Sequence, residues 1–272
     1  MFQVYEFFGR LTISCDNQMM TIDKKIDDLA LSEWIISGFR DVEESRVRDG
    51  HKPWPEYDSS LDSCDNYFKD VTPRGGIRSI LLELVGENKG GGLSILDVAG
   101  QGNAFLECGD CDIDGITAVF LGDYRDSSRR EMESSQGLIY IPGNILDPVT
   151  REKVRLKKYN FVFFKPVGAK RLISSPEVGF DLLTFIYASL EEVGVILMEV
   201  PEYMIANQGT DWVNDLANIE GIEVRFNYSH PHSSAHLLLR KKAGGPEDIE
   251  SILEGSSKSQ SRMKALDTLS WN

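Results

Sequence analysis

The chain has 272 residues, 41% hydrophobic and 10% aromatic, enough for one large domain or for a core domain with a smaller addition. Its 29 Lys and Arg against 43 Asp and Glu leave a formal net charge of −14, a field that repels a phosphate backbone, so nucleic acid is an unfavoured partner. Four cysteines are too few for a disulfide framework, no apolar run approaches the roughly 18 residues of a membrane span, and Met1 to Glu6 lack the basic-then-apolar pattern of a secretory signal, so the cytoplasm is the expected compartment.

Phe2 to Phe8 and Arg10 to Cys15 are β-prone runs around Gly9 that suit a hairpin. Ile22 to Glu44 reads as a helix, with Ile26, Leu29, Trp34, Ile35 and Phe39 at spacings that share a face. Residues 46–66 are polar, contain Pro53 and Pro55, and read as a loop. A helix is expected from Gly76 to Val85, followed by a break at Lys89 to Gly92. Five short apolar strands then follow: Leu93 to Val98, Ile116 to Leu121, Leu138 to Ile141, Phe161 to Phe164 and Val195 to Val200. Continuous apolar runs, rather than strict alternation, suit a parallel sheet covered on both faces.

Asp147-Pro148 looks like an N-cap with proline at the first helical position, opening a helix through Lys157. Arg151 to Lys158 is a dense basic run, read as a solvated helix face. Phe180 to Glu192 is the clearest helix between strands. Ile222 to Tyr228 and Ala235 to Lys241 are joined by a connection too short for a helical crossover, so they must pair antiparallel. The expected fold is α/β: a doubly wound, mostly parallel seven-stranded sheet with a terminal antiparallel β-hairpin, plus an N-terminal mainly helical extension. The division is 1–75 as extension or cap, 76–242 as the core, and 243–272 as a polar tail, with a short helix near Ile249 to Leu253.

In such a sheet, ligands bind beyond the carboxyl ends of the strands at the switch point. The first core strand ends in Asp97-Val98-Ala99-Gly100-Gln101-Gly102-Asn103, an acid followed by a glycine turn. This segment resembles motif I of class I S-adenosylmethionine-dependent methyltransferases. Asp123, just past the second strand, is similar to the family's ribose-binding acid. Gly143 to Asp147 resembles the Gly-Asp segment near the adenine, Tyr159 to Phe164 the segment entering the fourth strand, and Leu190 to Leu197 the turn into the fifth. The terminal hairpin matches the family's last two strands. The resemblance covers about residues 76 to 242. It implies S-adenosylmethionine as cofactor, held by Asp97, Ala99, Gly100, Gln101, Gly102, Asp123, Tyr124, Asn144, Ile145 and Phe164. It also departs from the pattern: Ala99, Gln101 and Asn103 stand where glycines alternate, and Asn144 and Asn160 stand where Asp is usual.

The mechanism the resemblance implies is in-line methyl transfer to a small-molecule or protein acceptor. Lys165, Glu199, Glu202, Tyr203 and His232 are candidates on the rim, with no catalytic residue assigned. Phe164-Lys165-Pro166-Val167 does not match the motif of amino-methylating enzymes. Two other readings stand beside this one: a catalytically inactive relative that binds a partner, and an NAD(P)-dependent oxidoreductase, disfavoured by the hairpin. The lone pair Cys108 and Cys111 reads as loop cysteines, and His230, His232 and His236 as a polar hairpin loop, so no metal is expected.

Overall fold

A computed structural model describes residues 2–7, 10–15, 18–23, 37, 40–41, 44–51, 60–88, 91–165, 176–200, 204–205, 210–229 and 234–253. The chain opens with an antiparallel meander of β1 (Phe2–Phe7), β2 (Arg10–Cys15) and β3 (Gln18–Asp23). The expected hairpin is there, but a third strand extends it. That strand takes Ile22 and Asp23 from the start of the expected helix, where the β-branched pair Thr21-Ile22 suits a strand. Residues 44–48 are helical, as are 37, 40 and 41. Among its described residues the extension is therefore a sheet first and helical only later, and residues 24–36 of the expected helix lie outside them.

The next element corrects the reading of 46–66 as a loop. Leu61–Phe68 forms α1, whose Ser60 side chain accepts the Ser63 backbone N–H at 3.2 Å as an N-cap. Leu61, Cys64 and Phe68 face inward, and the Asp and Ser residues between them hid this spacing. α2 (Gly76–Glu87) follows, with Ile77, Ile80, Leu81 and Leu84 buried as expected.

The remaining elements alternate. They are β4 (Leu93–Val98), α3 (Asn103–Leu106), β5 (Ile113–Phe120), α4 (Ser127–Ser135), β6 (Leu138–Pro142), α5 (Pro148–Arg155) and β7 (Tyr159–Phe164). Then come α6 (Pro176–Ala188), β8 (Leu190–Val200), α7 (Asp211–Ala217), β9 (Ile222–Ser229) and β10 (Ser234–Lys241). Asp147 caps α5 by accepting the Val149 N–H, with Pro148 in the first turn. β8 begins earlier than its apolar run, so Leu190 to Glu192 are strand rather than the end of a helix.

The seven strands lie in the order β6-β5-β4-β7-β8-β10-β9. Neighbours are parallel except β10, which is antiparallel to both β8 and β9. Strand order reverses between β4 and β7, which places the switch point above Val98 and Phe164. The expected doubly wound sheet with its terminal hairpin is thus the observed one. One face packs on α1, α2 and Phe105 of α3. The other packs on α5, α6 and α7, with Trp212 fully enclosed. Asn160, where Asp is usual, is buried and accepts the Ser94 N–H at 3.0 Å, joining the start of β4 to β7 without a buried charge.

The first part of the expected polar tail belongs to the core. The Tyr187 hydroxyl donates to the Pro246 carbonyl at 2.8 Å, residues 250–253 are helical, and Ile249 and Leu253 are buried. Residues 254–272 lie outside the described ones. Among the described residues, no helix is long and apolar enough to cross a membrane.

Phe68 is the anchor of α1: its ring meets Phe163 at 5.4 Å and His236 at 4.9 Å with no exposure. Phe68→Ala is expected to lower stability by about 3–5 kcal/mol in chemical denaturation.

Candidate functional site

β4 is buried on both faces, and its end is where the chain must turn within a few residues. Ala99 holds φ of 63°, the left-handed region that glycine prefers, and is the sole non-glycine there among the described residues. The backbone therefore keeps a glycine conformation at the first of the positions where the resembled motif alternates glycines. Gly100 is needed for space, because a Cβ there would run into the Asp97 carboxylate. Gly102 (φ 75°) is needed for both reasons: its Cβ would sit 2.6 Å from Leu138 Cδ1.

The loop is wrapped around Asp97. This side chain is buried at 5% exposure and accepts the Gly102 N–H at 2.7 Å. Burial pushes its carboxyl up to about 7, against the opposing effects of the Gly102 hydrogen bond and the Lys165 charge. Gln101 is also buried, at 2% exposure. Its Oε1 accepts from Arg129 at 3.0 Å, while its Nε2 has no hydrogen-bond partner among the described residues. That leaves a buried donor at the loop where a ligand's acceptor could satisfy it.

Asp123 stands three residues beyond the end of β5. Its carboxylate is already engaged: Arg125 donates Nε to Oδ1 at 2.8 Å and Nη2 to Oδ2 at 3.0 Å, and its backbone N–H adds a third bond at 3.2 Å. Burial raises the Asp123 carboxyl, but the Arg125 bonds outweigh it and hold it below the ordinary range. Arg125 also donates to buried Glu133 of α4 at 2.8 Å, and Arg129 donates to the same carboxylate at 2.7 Å. Asp123, Arg125, Glu133, Arg129 and Gln101 thus form one chain of polar contacts joining the two candidate binding segments. The Arg125 guanidinium lies over the Tyr140 ring at 4.0 Å, and the Tyr140 hydroxyl donates to Gly122 O at 2.9 Å. Neither Arg125 nor Glu133 stood out in the sequence.

The other expected binding residues divide. Tyr124 packs edge-on to Phe120, over Gly122. Asn144 accepts the Leu146 N–H at 3.0 Å through Oδ1, so its amide N–H groups are what it can offer an adenine. Ile145 is half-buried against the core. Phe164 is fully buried on the face away from Asp97, where it fills the core beneath α6.

A second group lies on the same face as Asp97. β7 and β8 pair Phe164 with Met198, so Lys165, one residue on, arrives level with Glu199. β8 and β10 pair Glu199 with His236. Asp97 lies opposite Phe163, one same-face step below. Asp97, Lys165, Glu199 and His236 therefore cross four adjacent strands as a row of alternating acid and base, each at most 8% exposed. α1 roofs it: His236 lies against the Tyr67 and Phe68 rings at 4.8 and 4.9 Å, and the Lys165 ammonium sits 4.7 Å from the Tyr67 centroid. Lys165 and Glu199 were candidates from the sequence. His236 was read only as part of a histidine loop; the alternation of His236, Leu238 and Arg240 was the available signal. Glu202, Tyr203, His230 and His232 lie outside the described residues.

The strand order and the antiparallel last pair are those of the class I methyltransferase fold. No family model matches the chain, and no curated protein matches it in sequence. Solved structures similar to it include phosphoethanolamine N-methyltransferase 1 of Haemonchus contortus with phosphoethanolamine and S-adenosylhomocysteine, at 11% identity and TM-score 0.47. That match covers 89% of this chain and 56% of the other, so the chain spans about half the length of that enzyme. Magnesium protoporphyrin IX methyltransferase from Synechocystis, with bound S-adenosylmethionine, matches at 11% identity and TM-score 0.47, over 82% of this chain and 100% of the other. An O-methyltransferase from Bacillus cereus in complex with S-adenosylhomocysteine matches at 13% identity and TM-score 0.41, over 64% and 83%.

Two tests address the loop. Because the folded Asp97 carboxyl titrates near 7, the native chain keeps its proton from about pH 4 to about 7 while the unfolded chain has lost it. This group's stabilising contribution is therefore full below about pH 4 and falls as pH rises to about 7. Urea midpoints across that range should show this component of the slope in the parent and not in Asp97→Asn. Ala99→Gly should raise stability by about 0.5–1 kcal/mol by relieving the left-handed strain, less the added chain entropy.

Proposed function

We propose that the chain binds S-adenosylmethionine beyond the ends of β4, β5 and β6 and transfers its methyl group to an acceptor held beneath α1. The observation that carries this reading is the loop at the switch point: Asp97 buried at its centre, Ala99 and Gly102 in left-handed backbone, and the Gln101 amide N–H left for a ligand. When bound, this cofactor supplies a methyl group already activated on a sulfonium. Gln101 would donate to its carboxylate, Asp123 would accept from its ribose hydroxyls, and the Asn144 amide would face its adenine. The Asp97 carboxylate would favour its cationic end, so binding should tighten as pH rises through about 7 and Asp97 ionises.

The row Lys165, Glu199 and His236 would form the acceptor side. Their side chains are held by strands on one face and roofed by rings, which excludes water and fixes direction. His236 beside Glu199 suits removal of an acceptor proton, and Lys165 suits steadying a developing negative charge. The acceptor class this favours is a small molecule or a protein side chain bearing a protonated nucleophile. Compartment stays with the sequence expectation of cytoplasm.

One observation favours a second reading, a non-catalytic module that binds a partner. Asp123 is bridged by Arg125, and ribose hydroxyls must share or displace that contact. Calorimetric titration with S-adenosylmethionine separates the two. Micromolar binding, about −8 kcal/mol, with at least a tenfold loss in Asp123→Ala, supports the cofactor reading. No heat at millimolar ligand sinks it and leaves the module.

A further inference from the structure

At the opposite end of the sheet from the candidate site, the single-turn helix α3 gives way to Cys108-Gly109-Asp110-Cys111, which leads into β5. The Cys111 N–H donates to the Cys108 carbonyl at 3.1 Å, a tight turn that brings both side chains to the same side. Cys108 and Cys111 are buried, at 2% and 7% exposure, and neither forms a disulfide. Asp110 lies between them in sequence and turns its carboxylate back. Its Oδ1 is 3.7 Å from Cys108 Sγ, while its Oδ2 accepts from Arg78 Nη1 of α2 at 2.9 Å. Two sulfurs and one carboxylate oxygen lie within 4.8 Å of one another.

We propose that Cys108, Asp110 and Cys111 bind a thiophilic divalent cation, zinc in the first place, with water at the fourth position. Tetrahedral zinc with bonds of about 2.0–2.3 Å holds its ligand atoms about 3.5–3.8 Å apart, so the side chains need only small rotations to close on it. The charges also match. Two thiolates and a carboxylate bring −3, zinc brings +2, and the Arg78 guanidinium neutralises the remainder. Arg78 does what an outer partner does in such sites: it takes one carboxylate oxygen and aims the other. Binding releases the two thiol protons to solvent and involves no change of oxidation state. The lone CxxC lacked a third ligand when read as spacing between pairs; the residue inside the motif supplies it. The cation would staple the short connection between β4 and β5, a structural role independent of the methyl-transfer reading.

The test uses the full chain, reduced and stripped of metal. Zinc added against a chromophoric chelator should bind at one per chain and raise the melting temperature. Cobalt(II) in its place should show thiolate-to-metal charge-transfer absorption. Cys108→Ser and Cys111→Ser should abolish both signals, and Arg78→Met should weaken zinc binding roughly ten- to a hundredfold. Should the serine variants fail to fold, the cobalt spectrum of the parent chain alone decides. Zinc held equally by the serine variants, no zinc bound by the reduced parent, or a cobalt spectrum without thiolate bands would each overturn the assignment.

Discussion

The burial of one carboxylate governs the upper half of the molecule. Asp97 lies one residue before the end of the central strand, on a face covered by helices, where a charge is costly unless the chain supplies partners. The loop 99–102 supplies one by bending back so that the Gly102 N–H points at it. That bend requires left-handed backbone at Ala99 and Gly102 and leaves no room for a side chain at Gly100. Lys165, across the switch point, supplies the opposite charge. A ligand reaching this crevice meets a carboxyl poised near neutrality rather than a fixed anion.

Two polar systems flank that carboxylate. On the β5 side, Asp123, Arg125, Glu133, Arg129 and Gln101 are fastened by short, directed hydrogen bonds, and Arg125 grips both of its carboxylates. Such geometry fixes side chains in place. On the β8 side, Lys165, Glu199 and His236 are held by strand register and by rings above them.

Much of the fold was legible, because a strand buried on both faces writes itself as an unbroken apolar run. Phe161 to Phe164 could hardly be anything else, and Leu93 to Val98 reads the same way despite Ser94 and Asp97. The helices on the solvent side were less readable. α1 hides three inward residues among Asp and Ser, and α4, Ser127 to Ser135, buries only Glu133, so it has no apolar period to detect. The acid and glycine loop was legible as a motif, and the left-handed Ala99 shows why its spacing counted for more than its residue types. Arg125 was not legible, and His236 was legible only as one position of an alternation along its strand. The role of the first depends on where Asp123 and Glu133 meet in space, and that of the second on the register of an antiparallel pair. In the tail the short helix near Ile249 to Leu253 was legible, but not that Ile249 and Leu253 pack into the core.

The terminal hairpin has one further consequence. β10 is an interior strand, between β8 and β9, and Arg240 on it reaches back to Glu83 and Glu87 of α2 at 2.9 and 2.8 Å, across 157 and 153 residues of sequence. The sheet therefore cannot close in the order in which it is synthesised. A nascent chain that has made β8 but not β10 carries an apolar strand with an unsatisfied edge, the kind of surface that invites aggregation. Closure waits for contacts distant in sequence, which slow folding. The last strand of this sheet to leave the ribosome is also the one that covers the β8 edge and joins β9 to the rest.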